Sequence, residues 1–564
     1  MRAARALKLP PGLAMVRDYR RPWLRSDLAA GAALSAFLIP AGMAYAEAAG
    51  LPAVTGLYAS VIPLLAYAVF GPSRVLIIGP DSSLAPMIAA AVLPLAGTDP
   101  DRAVALAGAL ALVIGSFLLA GRVFRLGFVT GLLSKPIRVG YLNGIAIVIM
   151  LSQLPKLLGI SGPGGSLVDT AAGTAQAIAQ GGVNPVALLF GAGSIAVIVG
   201  CRFLPGKLPG VLIAVVAATA LTAALDLTAA LPTVGALPSG LPAPALDGVS
   251  LADVLALLAP AAGIALIAFA DTSVLSKSFA SRSGVPVDGN QEMGALGAAN
   301  VASGLFGGFP ISGSTSRTPI AVEAGAKSPL AGAIAAVLVV LFMVLAPGLT
   351  TFLPSSVLAG VVMVAAASIL DLKTLRRLLR MSRTEAALLV ATFLGVAFVG
   401  VLEGIVVAIG LSLVAFVLRA LDPYRTELGS VGEVPGYHDL SRHPEGQRIP
   451  GLVIARFDAP LFFANGAVFT DHIRTLVAHA PHPVRWVIVA SEAITGLDTT
   501  ALDDLVALDD ELARRGISLV FAEMKGPIKD RLIRFGVSSR FGPDHFFPTV
   551  TNAVRSYKRE FGLE

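Results

Sequence analysis

The chain has 564 residues, 55% of them hydrophobic and 14% charged, with a formal net charge of +6. Soluble globular proteins carry about 25% charged residues, so this balance, with a mean hydropathy of +0.79, excludes a wholly soluble fold and identifies an integral membrane protein. The lone cysteine, Cys201, excludes an intrachain disulfide or cysteine–metal framework. The basic residues gather at segment ends, where membrane topology accounts for them without a nucleic-acid partner.

Residues 1–27 are basic, are broken by Pro10, Pro11 and Pro22, and read as a cytoplasmic segment, not a cleavable signal peptide. Fourteen apolar segments follow. The first seven are expected at about 28–48, 53–71, 80–96, 101–120, 129–157, 184–202 and 208–226. The second seven are expected at about 251–277, 290–307, 314–326, 327–346, 356–371, 382–399 and 401–420. Some are too short for a full crossing and read as half-helices or tilted packing helices. Every second connection carries cations: Arg74, Arg122 with Arg125, Arg202 with Lys207, Lys277 with Arg282, Lys327, and the run from Lys373 to Arg383. The intervening connections hold almost none, apart from Arg102 and Lys156. This alternation places both termini in the cytoplasm. Seven plus seven segments suggest an inverted repeat, about 28–226 and 251–420, because an odd number per half inverts the second half.

In such a repeat the third segment corresponds to the tenth. The third opens with Gly79-Pro-Asp-Ser-Ser83, the tenth with Gly313-Ser-Thr-Ser-Arg317. Both set hydroxyl residues beside Gly or Pro just before a short apolar helix. Interrupted segments in equivalent positions point to a transporter's central site. Arginine at membrane depth costs roughly 2.5–3.5 kcal/mol, and irregular backbone there survives only inside protein or beside a water-filled cavity. Arg317, Ser314, Thr315 and Ser316, together with Ser82 and Ser83, are therefore candidate substrate residues. The opening of the third segment read alone is also an ordinary N-capped helix start.

Intramembrane carboxylates are candidate ion carriers. Asp271 lies well inside the eighth segment and Glu47 near the outer end of the first. Glu292, Glu323 and Glu403 lie at segment ends and read as helix caps or water-facing groups. No histidine precedes residue 422, so a proton relay in the membrane part must use carboxylates. Tyr45, one turn from Pro40, either faces an internal cavity or sits as an interfacial aromatic.

After Asp422 charges and turns become dense. A linker at 421–449 is expected, then a soluble domain at 450–564. Strand patterns at 451–457, 484–490 and 517–521 alternate with helical patterns at about 465–479, 500–515, 526–535 and 548–560, which describes a small α/β domain. No phosphate loop, metal-ligand spacing or nucleophile–base motif appears, so it reads as a regulatory or assembly module and the chain as no enzyme.

Ile39-Pro-Ala-Gly-Met-Ala-Tyr-Ala-Glu47, Gly56-Leu-Tyr-Ala-Ser60, Ile78-Gly-Pro-Asp-Ser-Ser83, Asp288-Gly-Asn-Gln-Glu292, Leu305-Phe-Gly-Gly308 and Ser314-Thr-Ser-Arg-Thr318 together resemble the SulP anion-permease family, also called the sulfate permease or solute carrier 26 family. The tail resembles a STAS domain. The resemblance implies a seven-plus-seven inverted repeat split into core and gate, an anion held between the third and tenth helices, elevator-like motion, and a homodimer. It implies substrate roles for Tyr45, Ser316 and Arg317 and a proton-coupling role for Glu47. It matches Asp271, Gly313 and Thr315 to sodium positions of bicarbonate-transporting members, although Leu275 stands where those members have threonine. Ala41 replaces a frequent glutamine. Thr499, in Asp498-Thr-Thr-Ala501, occupies the position of a serine that is phosphorylated in STAS relatives.

The resulting expectation is a secondary active transporter in a bacterial-type inner membrane. Its substrate is a small inorganic anion, sulfate first, with H⁺ symport through Glu47 as the prime carrier and Asp271 as the second candidate, and with no cofactor. The alternatives are Na⁺-coupled bicarbonate or proton-coupled dicarboxylate transport. An anion channel, a membrane-tethered signalling protein and a uracil-permease type rank below these.

Overall fold

The computed structural model describes residues 10–127, 135–160, 167–204, 209–237, 246–283, 287–314, 317–432, 434–537 and 539–563. The chain forms two compact units, Met1–Ser412 and Leu413–Glu564. In the first, helices α1 (Pro11–Arg17), α2 (Trp23–Ala48) and α3 (Ala53–Phe70) precede a two-residue strand, β1 (Ile78–Gly79). Then come α4 (Ala85–Ala96), α5 (Pro100–Val123), α6 (Lys135–Leu157), α7 (Leu167–Ala179), α8 (Pro185–Cys201), α9 (Gly210–Ala224), α10 (Leu251–Ser283) and α11 (Gly289–Leu305). A second short strand, β2 (Ser312–Gly313), leads into α12 (Arg317–Glu323), α13 (Leu330–Leu345), α14 (Ser355–Ile369), α15 (Leu372–Met381), α16 (Arg383–Leu394) and α17 (Val401–Leu421), whose last residues count with the second unit.

Each of the fourteen expected segments contains one of these helices. Among the described residues six stretches are long and apolar enough to cross a membrane, and α4, α8, α9 and α13 are shorter apolar helices. The third and tenth segments are short: α4 has 12 residues, and α12 has 7 among the described residues. Helices α1, α7 and α15 lie where only tails and loops were expected.

Small residues let the helices approach closely. A Cβ on Gly56 of α3 would collide with the Gly42 carbonyl oxygen of α2, so these two backbones touch. Buried Asp27 near the start of α2 collects four donors: Lys327 N (2.7 Å), Ser328 N (3.3 Å), Ser328 Oγ (2.7 Å) and Tyr19 Oη (3.1 Å). It ties α2 to the turn between α12 and α13.

The two cations that break the alternation of loop charge are each paired. Arg102 meets Asp253 at 2.9 Å and Lys156 meets Glu47 at 3.3 Å. Glu292 corrects an expectation: it is neither a cap nor water-facing but fully buried. Tyr67 Oη donates to its Oε1 (2.5 Å) and Ser276 Oγ to its Oε2 (2.9 Å).

The second unit contains strands β3 (Arg425–Val431), β4 (Val434–Asp439), β5 (Leu452–Phe457), β6 (Trp486–Ala490), β7 (Ser518–Ala522) and β8 (Phe546–Phe547). Its helices are α18 (Gly466–Ala478), α19 (Thr499–Arg514), α20 (Gly526–Arg534) and α21 (Val550–Glu560). The sheet order is β4-β3-β5-β6-β7-β8, with β5 to β8 parallel and β3 antiparallel to both neighbours. Buried on both faces, β6 is a continuous apolar run, as parallel central strands are. The stretch 421–449, expected as a linker, instead supplies β3 and β4 to this sheet.

His472 of α18 is half-buried, and its ring donates to the Thr426 carbonyl at 3.4 Å. Burial pushes its pKa below the ordinary value, against the raising effect of that hydrogen bond. The unfolded chain therefore binds the proton more readily, and stability is lost as pH falls below about 6.5. Amide protection in β5 and β6 is expected to drop from neutral pH toward pH 5, and less steeply in His472→Gln.

Candidate functional site

The two half-repeats meet through β1 and β2. Ile78 pairs with Gly313 and Gly79 with Ser312, antiparallel. The pairing is short because each strand serves only to bring the residues before α4 beside those before α12. Side chains complete the junction. Thr272 Oγ1 of α10 accepts from Gly313 N (2.8 Å), and Thr318 Oγ1 accepts from Ile77 N (3.2 Å). Asn300 of α11 bonds the backbone of Ile311 in both directions, at 3.0 and 3.2 Å. These groups satisfy backbone that would otherwise be orphaned at membrane depth.

Arg317 is the largest fully buried side chain among the described residues, 1% exposed. Its Nη2 donates to the Gly79 carbonyl at 3.0 Å and lies 3.6 Å from Asp81 Oδ2. Its Nε has no acceptor among the described residues. Leaving a charged donor unfilled in the interior is costly, so the guanidinium retains binding capacity toward an acceptor. Asp81 also holds the start of α4, accepting from Ser83 N (3.0 Å) and Ser83 Oγ (2.7 Å). The cap position of α4 is Leu84, without a side-chain hydrogen bond, so Asp81 fixes the turn ahead of the helix and serves as a partial counter-charge. Tyr45, buried on α2, lies near Arg317.

Ser82, Ser83 and Ser314 are buried at this junction, and Ser314 N donates to Ile77 O at 3.4 Å. Asp271 reaches the Ser83 side chain. Tyr141 of α6, which sequence reasoning missed, lies near both Asp81 and Asp271 and contacts Ser83 O (3.5 Å) and Met87 Sδ (3.0 Å). Tyr45, Ser82, Ser83, Asp271, Gly313, Ser314 and Arg317 therefore belong to one neighbourhood. Thr315 and Ser316 lie outside the described residues. Glu47 is engaged elsewhere: Lys156 Nζ of α6 donates to its Oε2 (3.3 Å) and to its carbonyl (3.4 Å). Thr499 is an exposed residue in the second unit, at the first turn of α19, whose cap is Asp498.

Gly79 is needed twice. Its φ of +151° suits glycine, and a Cβ there would meet Arg317 Nη1 at 2.9 Å. Gly79→Ala is expected to displace the guanidinium and reduce transport by about tenfold or more, while the melting temperature of the second unit stays unchanged.

Comparison with known proteins agrees with this architecture. The sulfate permease family model matches residues 24–392 and the STAS domain model residues 443–553. A Mycobacterium tuberculosis protein named "Probable sulfate transporter" is 40% identical over 550 residues, covering 97% of this chain and 98% of its own. Human solute carrier family 26 member 6 is 32% identical over 479 residues, covering 80% of this chain and 63% of its own. The structure of murine solute carrier 26 family member A9 superposes with a TM-score of 0.91 at 23% identity, covering 99% and 96% of the two chains. The transmembrane domain of a cyanobacterium bicarbonate transporter gives a TM-score of 0.61 at 26% identity, covering 70% of this chain and 98% of its own. The chain belongs to the sulfate permease family, whose members are transporters and not enzymes, and carries a C-terminal STAS domain.

Proposed function

We propose that this chain is a proton-coupled symporter of a small inorganic anion, sulfate first, working by elevator-like movement. The observation that carries the reading is the buried Arg317 with an open Nε, facing the hydroxyl-rich starts of α4 and α12. A tetrahedral oxyanion supplies acceptors for that nitrogen and for Ser82, Ser83 and Ser314. Asp81 at 3.6 Å tempers the positive charge, so the anion is held but can leave. Tyr45 lines the same neighbourhood, and Thr315 and Ser316 belong to the same stretch of chain. Glu47 carries the coupling proton and Lys156 is its counter-ion, with Asp271 the second candidate. Both termini and the STAS domain are cytoplasmic, by the alternation of loop cations. The protein is a homodimer in a bacterial-type inner membrane, and Thr499 is a regulatory acceptor.

The test is labelled sulfate uptake into proteoliposomes under an inward pH gradient or a Na⁺ gradient. Accumulation driven by pH and lost in Glu47→Gln is expected. Uptake driven only by Na⁺ moves coupling to Asp271, Gly313 and Thr315, a reading favoured by the likeness to the bicarbonate transporter's transmembrane domain. No sulfate uptake under either gradient transfers the substrate assignment to bicarbonate or a dicarboxylate.

A further inference from the structure

Helix α15 is built differently from the helices around it. Lys373, Arg376, Arg377 and Arg380 recur at i, i+3, i+4 and i+7 and so share one face. All four are exposed and, with Met381, line an open recess of about 350 Å³. Arg376, Arg377 and Arg380 make no ion pair among the described residues. The carboxylate at the helix start, Asp371, is taken up by Thr374 N (2.9 Å) and Thr374 Oγ1 (2.6 Å).

The other face fixes α15 to the membrane unit. Leu378 packs with Val139 of α6 and with Ala386 and Leu389 of α16, and Asn143 of α6 accepts from Asp371 N at 2.8 Å. Leu372 and Leu379, seven residues apart, lie on one side of the helix and remain 53% and 57% exposed. Exposed leucines beside a row of arginines, on a helix held against a membrane-spanning bundle, match the headgroup layer. There the leucines meet the acyl boundary while the arginines stay among phosphates. Like charges this dense also repel one another unless anions are interleaved.

We propose that this face of α15 binds anionic phospholipid headgroups of the adjacent leaflet, with phosphate oxygens seated among Arg376, Arg377 and Arg380. The guanidinium fork suits phosphate better than an ammonium does. Because α15 rides on α6 and α16, the lipid contact anchors those helices in the bilayer.

The test uses the full chain in nanodiscs of phosphatidylcholine with increasing phosphatidylglycerol. An environment-sensitive fluorophore is attached through Leu379→Cys in a Cys201→Ser background. A blue shift that grows with phosphatidylglycerol and weakens in about 0.5 M salt is expected. Apparent affinity should fall about fivefold for each arginine removed, so R376Q/R377Q/R380Q loses the shift. R376K/R377K/R380K, which keeps the charge, retains a weakened one. A shift equal in pure phosphatidylcholine, or one that survives in the glutamine variant, overturns the proposal. So does loss of the shift in the lysine variant. Competition by millimolar inorganic phosphate would assign the face to a free anion and overturn the lipid assignment.

Discussion

Arg317→Gln is expected to raise the anion concentration needed for half-maximal uptake by about tenfold to a hundredfold. That corresponds to one charge-assisted hydrogen bond of about 1.5–3 kcal/mol. The substitution removes the buried cation that contacts Gly79 O and leaves Asp81 without its partner at 3.6 Å. Arg317→Lys is expected to restore only part of the activity, because an ammonium cannot bond Gly79 O and an anion through a planar fork. Asp81→Asn should act in the opposite sense. The asparagine oxygen still accepts from Ser83 N, but the counter-charge is gone, so the anion binds more tightly and turnover falls. Initial-rate measurements over a range of anion concentrations separate the two effects. Equal loss of affinity in Asp81→Asn and Arg317→Gln would show that the pair is structural.

The second large effect is expected at the Glu47–Lys156 pair, which links α2 to α6. Glu47→Gln should abolish concentrative, pH-driven uptake while leaving anion counterflow at equal pH within about twofold, because only the proton carrier is removed. Lys156→Gln should also lose gradient-driven uptake, since it leaves the Glu47 carboxylate, 16% exposed, without its cation. Two residues that act as a pair give non-additive losses. The double variant should therefore be no worse than the more damaging single one. Additive losses in gradient-driven uptake would separate Lys156 from coupling.

Much of the membrane fold is legible in the sequence because the bilayer tolerates few solutions. Long apolar runs mark the spans, and glycine, proline and hydroxyl residues before α4 and α12 mark the two half-helices. The depth of Arg317 was legible for the same reason, since arginine there needs special surroundings. Its partners were not. Asp81 is 236 positions away in the chain and reads as a helix cap, although it only fixes the turn before α4, so no local pattern shows its contact with Arg317. Lys156 appeared only as an exception to the charge alternation, and its pairing with Glu47 depends on how α2 packs beside α6. Glu292 misled because proximity to a helix start says nothing about tertiary burial, here by Tyr67 and Ser276. β3 and β4 lie in a stretch too polar and too glycine-rich to read as strands, and antiparallel pairing with β5 forms them. α15 left a signal: Leu372, Leu375 and Leu379 fall at helical spacing between the basic residues, but the density of charge there suggested only a loop.

The most direct test of the central claim is anomalous scattering from selenate, a sulfate isostere, bound to the purified full-length protein. The account predicts a selenium peak beside the Arg317 guanidinium, between the starts of α4 and α12, that sulfate displaces and that Arg317→Gln lacks. A displaceable peak away from Arg317, or one that persists in Arg317→Gln, would contradict it.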